Sequence, residues 1–291
     1  MQYKVSIKRK CYLLSVLLMT VWLTGCVQEE FESTPSPAGN GIRFTLTVPD
    51  VNLPSVSSRT MTGTGTAKKE DEIETVDILV FDMSKTPAVF LEWVSATGVT
   101  QDLADNSTVS FSAVLSPTTA STCIVVVANK ELDNIVSGFT KGATTKVEAM
   151  EKMLHTQTGK WLADGSTTGG YTRIPMYGEK VISKITPSMD PITGINMKRM
   201  LARIDIRNNS ATSNFTVEEV YLANYNTTGY IAPAWNTNGQ VTDPVPDTPV
   251  LPAGSGKMTE EGDAILYSVN GNTPYDGEIY TFESLAAEDA G

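Results

Sequence analysis

Residues 41–48 read Gly-Ile-Arg-Phe-Thr-Leu-Thr-Val, and their alternation is the clearest structural signal in the N-terminal quarter of the chain. Ile42, Phe44, Leu46 and Val48 fall on one face, Arg43, Thr45 and Thr47 on the other, as in a half-buried β-strand. The next segment breaks the strand. PDVNLPSVSSRTMTGTGTAKK (49–69) holds two prolines, glycines and many hydroxyls, with Arg59 alone among them until Lys68. Taken by itself, an arginine in such a loop is a solvated surface charge.

Further along, the same grammar recurs. TVDILVFDM (75–83), AVFLEWV (88–94), STVSFSAVL (107–115) and TCIVVVAN (122–129) are short runs rich in Val, Ile and Phe, set between turn residues. That spacing is the one expected of an all-β sandwich. One helix interrupts it: TKVEAMEKMLHT (145–156) puts Val147, Met150, Met153 and Leu154 on one face, with His155 in its last turn. NMKRMLARIDIRN (196–208) fits helix or strand, but its alternating end and closing turn residues favour one long strand. FTVEEVYLANY (215–225) alternates again. Beyond it the chain is turn-rich, with two apolar runs, AILYSV and EIYTF. A domain boundary is placed at 208/209, giving an N-terminal domain over 41–208 and a C-terminal one over 209–291.

Ahead of the first strand lies a targeting segment. Lys4, Lys8, Arg9 and Lys10 precede a 13-residue apolar run, CYLLSVLLMTVWL, shorter than the roughly 20 residues of a spanning helix. Leu23-Thr24-Gly25-Cys26 then resembles the lipobox of bacterial lipoproteins, in which the cysteine is acylated and becomes the first residue. Residues 1–25 are thus expected to be a signal peptide, Cys26 a lipidation site and 26–40 a Pro/Ser/Gly tether. The acidic cluster after Cys26 (Glu29, Glu30, Glu32) resembles the surface-export signal of Bacteroidota lipoproteins. It implies the outer face of the outer membrane.

Composition excludes more than it proposes. The chain carries 22 basic and 33 acidic residues. Loss of the four basic residues of the leader leaves 18 against 33, a formal charge of −15, so no nucleic-acid partner is expected. Cys123 is the only cysteine left once Cys11 departs and Cys26 is acylated, and in a buried-type strand it reads as a small apolar side chain. With one histidine, neither a Ser–His–Asp nor a Cys–His arrangement is available, and no metal site, cofactor or catalytic residue is expected. His155 reads as a surface residue at a helix end. GTGTAKK (63–69) and TGKW (158–161) lack the phosphate-loop spacing and read as ordinary loops.

The order of these segments resembles a known family. The lipobox, tether, GIRFTLTV, arginine loop, VDILVFD, IVVVAN, Ile174-Pro175-Met176-Tyr177-Gly178-Glu179 and Met197-Lys198-Arg199-Met200-Leu201-Ala202-Arg203-Ile204 together are similar to the fimbrillin family of Bacteroidales, the FimA/Mfa-type fimbrial subunits. The likeness runs over about residues 20–225. It implies two transthyretin-like β-sandwich domains in tandem, the first with one short helix and the second, over 209–291, incomplete beside the family's. It implies a surface lipoprotein cut by an Arg-specific protease after Arg59, which leaves Thr60 as the mature N-terminus. The strand and loop over 41–59, with the core face Ile42, Phe44, Leu46 and Val48, would be a removable plug. Its groove would take a donor strand, building a head-to-tail polymer of fimbrial subunits that supports adhesion. Two other readings stay open: an uncleaved lipid-held anchor or cap of the same fold, and a surface glycan-binding sandwich using Trp93, Trp161 and Trp235.

Overall fold

The computed structural model describes residues 41–48, 70–102, 108–162, 172–206, 216–241, 249–253, 255, 264–271 and 275–284. The chain separates into two compact units, Met1–Gly39 and Asn40–Gly291, and every described residue lies in the second. The architecture is mostly β. Its strands are β1 (Ile42–Thr47), β2 (Val76–Asp82), β3 (Val89–Ser95), β4 (Thr97–Gln101), β5 (Thr108–Ala113), β6 (Thr122–Ala128), β7 (Leu154–Thr156) and β8 (Met176–Ile182). Then come β9 (Ile192–Asn196), β10 (Lys198–Arg199), β11 (Leu201–Ile206), β12 (Val217–Leu222), β13 (Thr228–Tyr230), β14 (Ile265–Gly271) and β15 (Tyr275–Phe282). The described residues hold two short helices, α1 (Asp133–Val136), which was not expected, and α2 (Lys146–Lys152), within the one that was.

A five-stranded sheet, β10-β8-β6-β2-β3, forms the middle layer. Its central strands are buried along almost their whole length, which is why their sequences run as unbroken apolar stretches instead of alternating. Leu79, Phe81, Val125 and Val127 point to one side, into a core completed by Met150 and Met153 of the α2 end, Trp161, Ile231, Tyr280 and Phe282. Ile78, Val80, Ile124 and Val126 point to the other side, against the four-stranded sheet β4-β5-β1-β9. The boundary expected at 208/209 lies outside the described residues, but the first of these cores takes side chains from both sides of it. A smaller apolar cluster, Tyr225, Ile265, Tyr267 and Ile279, gathers around the β12–β14 pair.

Local chemistry shortens the helix that apolar periodicity extends to Thr156. A capping box starts it: Thr145 accepts from the Glu148 amide while the Glu148 carboxylate accepts from the Thr145 amide at 2.7 Å. It ends at Lys152, because Leu154–Thr156 pairs antiparallel with β13, His155 opposite Gly229. The long strand expected over 196–208 is likewise divided. Lys198 and Arg199 complete the central sheet against β8, and after the buried Met200 the chain leaves to pair with β15.

Candidate assembly groove

β1 is an interior strand of its sheet. It runs antiparallel to β5, with Ile42 opposite Ala113, Phe44 opposite Phe111 and Leu46 opposite Val109. On its other side it runs parallel to β9, Phe44 beside Ile192 and Leu46 beside Ile195, with an irregularity between the two pairs. Ile42, Phe44, Leu46 and Val48 are all buried, Leu46 completely, and the Phe44 and Phe111 rings stack with centroids 5.0 Å apart. Arg43 and Thr47 face outward. Among the described residues β9 has no other strand neighbour in this sheet, and it also rests on β8, where Ile195 packs over Gly178 and Lys180 donates to the Thr193 carbonyl. Cys26, Arg59 and Thr60 lie outside the described residues.

Two segments singled out in the sequence acquire physical reasons. In Ile174-Pro175-Met176-Tyr177-Gly178-Glu179, a Cβ on Gly178 would stand 2.7 Å from Met197 Sδ and 2.8 Å from Ile195 Cγ2, so β9 and its continuation can cross β8 only over a glycine. Glu179 holds Lys146, a fully buried cation, at 2.6 Å, and also accepts from the Tyr177 hydroxyl at 2.5 Å. Burial and the Glu179 charge hold the Tyr177 phenol well above its usual range. This partly buried pair joins α2 to the central sheet, 33 residues apart in sequence, and nothing local announces it.

Elsewhere the chemistry is sparse. His155 is not a helix-end surface residue: it lies in β7, its ring 5.0 Å from that of Trp161, and burial pushes its pKa down to about 4. Burial likewise drives the Cys123 thiol up to about 12, an inert core group. Among the described residues no group of three or more His, Cys, Asp or Glu is placed to hold a metal, and no helix is long and apolar enough to cross a membrane. Trp161 is buried, and Trp93 and Trp235 pack against the same core, so none stands out from the surface as a sugar platform. A shallow depression between the end of β8 and the start of β9 is lined by Lys180, Lys184 and Asp190 among others, with no buried acid–base pair.

Comparison with known proteins places these features. Two solved structures from Parabacteroides distasonis are similar. One is a fimbrial assembly protein at 11% identity and a TM-score of 0.43, covering 84% of this chain and 77% of that one. The other, a proposed cell adhesion protein, is 17% identical with a TM-score of 0.46, covering 86% and 73%. No curated protein matches the chain. A family model described as the major fimbrial subunit protein (FimA) matches residues 42–231, a span that begins at β1 and runs through both faces of the central sheet. Since that match covers well over half of its length, the chain belongs to the major fimbrial subunit (FimA) family.

Proposed function

We propose that this fimbrial subunit is exported as a lipoprotein acylated at Cys26, cut after Arg59, and polymerised through the groove that β1 vacates. Membership of the family makes it a structural component of a cell-surface fimbrium and not an enzyme. The mechanism rests on one observation: β1 is paired along both edges and buries four apolar side chains. Those four contribute roughly 6–12 kcal/mol at about 1.5–3 kcal/mol each, an upper bound because the unfolded chain already shields some of that surface.

Withdrawing β1 leaves a groove between β5 and β9, with ladder groups unpaired on both walls. Only another strand satisfies both walls and apolar floor together, by β-augmentation. A donor from a neighbouring subunit makes a heterologous contact that does not close on itself, and so extends a filament. While β1 is in place the groove is filled and the exported subunit stays monomeric. Partners in this reading are the outer membrane through the lipid on Cys26, an Arg-specific protease at the Arg59–Thr60 bond, and other fimbrial subunits. In this reading the subunit has two sandwich domains in tandem, the second, over 209–291, built around the β12–β14 cluster.

A second reading, an anchor or cap that keeps Cys26 and β1, draws on the same completeness of packing: nothing in the groove makes β1 leave unaided. The N-terminal sequence and intact mass of protein recovered from the cell surface separate the two. A chain starting at Thr60 without lipid is expected. A chain starting at acylated Cys26 in assembled fimbriae overturns the cleavage mechanism and leaves the anchor or cap.

A further inference from the structure

Residues 70–75 lead into β2 with no regular structure of their own, yet 70–74 are gripped one after another by side chains from distant elements, and the Thr75 carbonyl accepts from the Asn129 amide. Arg203 Nη1 donates to both carboxylate oxygens of the buried Glu70, at 2.8 and 3.0 Å. The Tyr280 hydroxyl donates to the same carboxylate, and Arg199 Nε donates to the Glu70 carbonyl at 3.0 Å. Gln101 works the next stretch from both ends of its amide, its Nε2 donating to the Asp71 carbonyl at 2.7 Å and its Oε1 accepting from the Ile73 amide at 3.1 Å. Asn129 repeats the device, its Nδ2 donating to the Glu72 carbonyl at 2.8 Å and its Oδ1 accepting from the Glu74 amide at 3.0 Å. Arg173 pairs with the carboxylates of Glu72 and Glu74 at 3.2 and 2.6 Å.

We infer that residues 70–75 form a clasp that fixes where the separable N-terminal part of the chain ends and the permanent body begins. Side-chain amides of Gln101 and Asn129 stand in for the missing ladder partners, each supplying one donor and one acceptor to the backbone. Glu70 closes the clasp: with the carboxylate and Arg203 held together at low exposure, opening leaves each charge without its partner, so partial fraying is disfavoured. The grips come from β4, the turn after β6, the segment before β8, β10, β11 and β15, so the clasp belongs to the body and contains no residue of β1.

Its consequence is proteolytic. A protease must draw several residues on each side of the scissile bond into an extended form. The Lys69–Glu70 bond has the clasp as its C-terminal side, so a trypsin-like enzyme meeting Arg59, Lys68 and Lys69 stops short of it. Any chain end made upstream of residue 70 is likewise prevented from unravelling into β2. The inference goes beyond the cleavage reading and does not need it, since the clasp protects the body from any upstream cut.

The test is limited trypsin digestion of the chain from Cys26 onward, read by intact mass, beside amide exchange at Ile73 and Glu74. In the wild type, no fragment beginning at Glu70 is expected while the cut after Arg59 goes to completion, and both amides are expected to be protected like those of β2. Cleavage within a folded segment follows the population of its opened state. Arg203→Met and the milder Tyr280→Phe are therefore expected to raise cutting after Lys69 by about tenfold or more, in line with losing a charge-assisted hydrogen bond. Cutting after Lys69 as fast as upstream, free exchange at Ile73 and Glu74, or folded variants with unchanged cleavage each overturn the clasp. If Arg203→Met does not fold, Tyr280→Phe and the wild-type amides still decide. Failure to cut at Arg59 alone speaks against the processing reading, and the two amides then report on the clasp by themselves.

Discussion

The groove stands or falls on Phe44. Its side chain is 1% exposed, sits at the middle of β1 between β5 and β9, and stacks on Phe111 with the rings 6° from parallel. Replacing it by alanine removes the transfer free energy of a phenyl ring and leaves a cavity under a strand paired on both edges, where the backbone cannot collapse inward. The expected loss is about 3–5 kcal/mol. Taken at 2–4 °C per kcal/mol for a body of this size, the melting temperature falls by roughly 6–20 °C. The assay is thermal or urea denaturation of protein that retains residues 41–59, Phe44→Ala beside Arg43→Ala. Arg43 is the neighbouring residue on the outer face and is expected to change stability by no more than about 0.5 kcal/mol. In protein from which 41–59 has been removed, the substitution has nothing left to act on, and the two preparations must then behave alike. A loss below about 1 kcal/mol in the intact protein, or an equal loss at Arg43, refutes β1 as a buried interior strand and with it the groove.

Gly178→Ala drives a methyl group into Met197 and Ile195 where β9 meets β8, and is expected to cost about 1–3 kcal/mol by urea denaturation. His155 has a folded pKa of about 4, below its ordinary value of 6.5, because burial disfavours the cation. The unfolded chain therefore binds the proton first, and stability contributed by the neutral ring declines as pH falls from about 6.5 to about 4, then levels. His155→Gln is expected to flatten the urea midpoint over that window, and an unchanged slope refutes the assignment. Cys123, its thiol held at about 12 in the core, is expected to resist a thiol-specific reagent at about pH 8 until the protein unfolds. Labelling of the native protein at the rate of a free thiol refutes that burial.

How much of the fold is legible in the sequence depends on which signals are local. The alternation of residues 42–48 and the apolar runs of β2 and β6 are properties of adjacent residues, and they mark strands without ambiguity. The same is true of β12, whereas β14 and β15 show in the sequence only as two apolar runs within a turn-rich stretch. β4 (TGVTQ) and β9 (ITGIN) carry little apolar periodicity and pass for loops, although β9 is one wall of the groove. A parallel neighbour brought in from a distant part of the chain leaves no trace in sequence spacing. The end of α2 escapes a sequence reading because Leu154 and His155 satisfy helical periodicity as well as they satisfy a strand. Pairing with β13 decides between them, and that is a tertiary fact. The pairs Lys146–Glu179 and Glu70–Arg203 are invisible for the same reason, each joining charges that look solvated in sequence.

The layering bears on whether the proposed removal of β1 would leave a folded body. β2 and β6 send alternate side chains to opposite faces, so the central sheet carries two cores that share a backbone but hardly a side chain. All four buried residues of the 42–48 stretch belong to the core between the two sheets, and none to the core beneath α2 and β15. Removing β1 therefore opens one face while the other, with Met150, Met153, Trp161 and Phe282, keeps its contacts. The clasp at residues 70–75 draws on Tyr280, a member of that second core, and on β11, paired with β15. In the proposed processing, the Glu70 end of the clasp is held by Arg203 and Tyr280 from the half that loss of β1 leaves in place, while Gln101 grips Asp71 and Ile73 from β4, in the sheet that carries β1. A two-layer sandwich would have no such reserve: its single core would lose a central strand, and the body would have to refold around whatever replaced it.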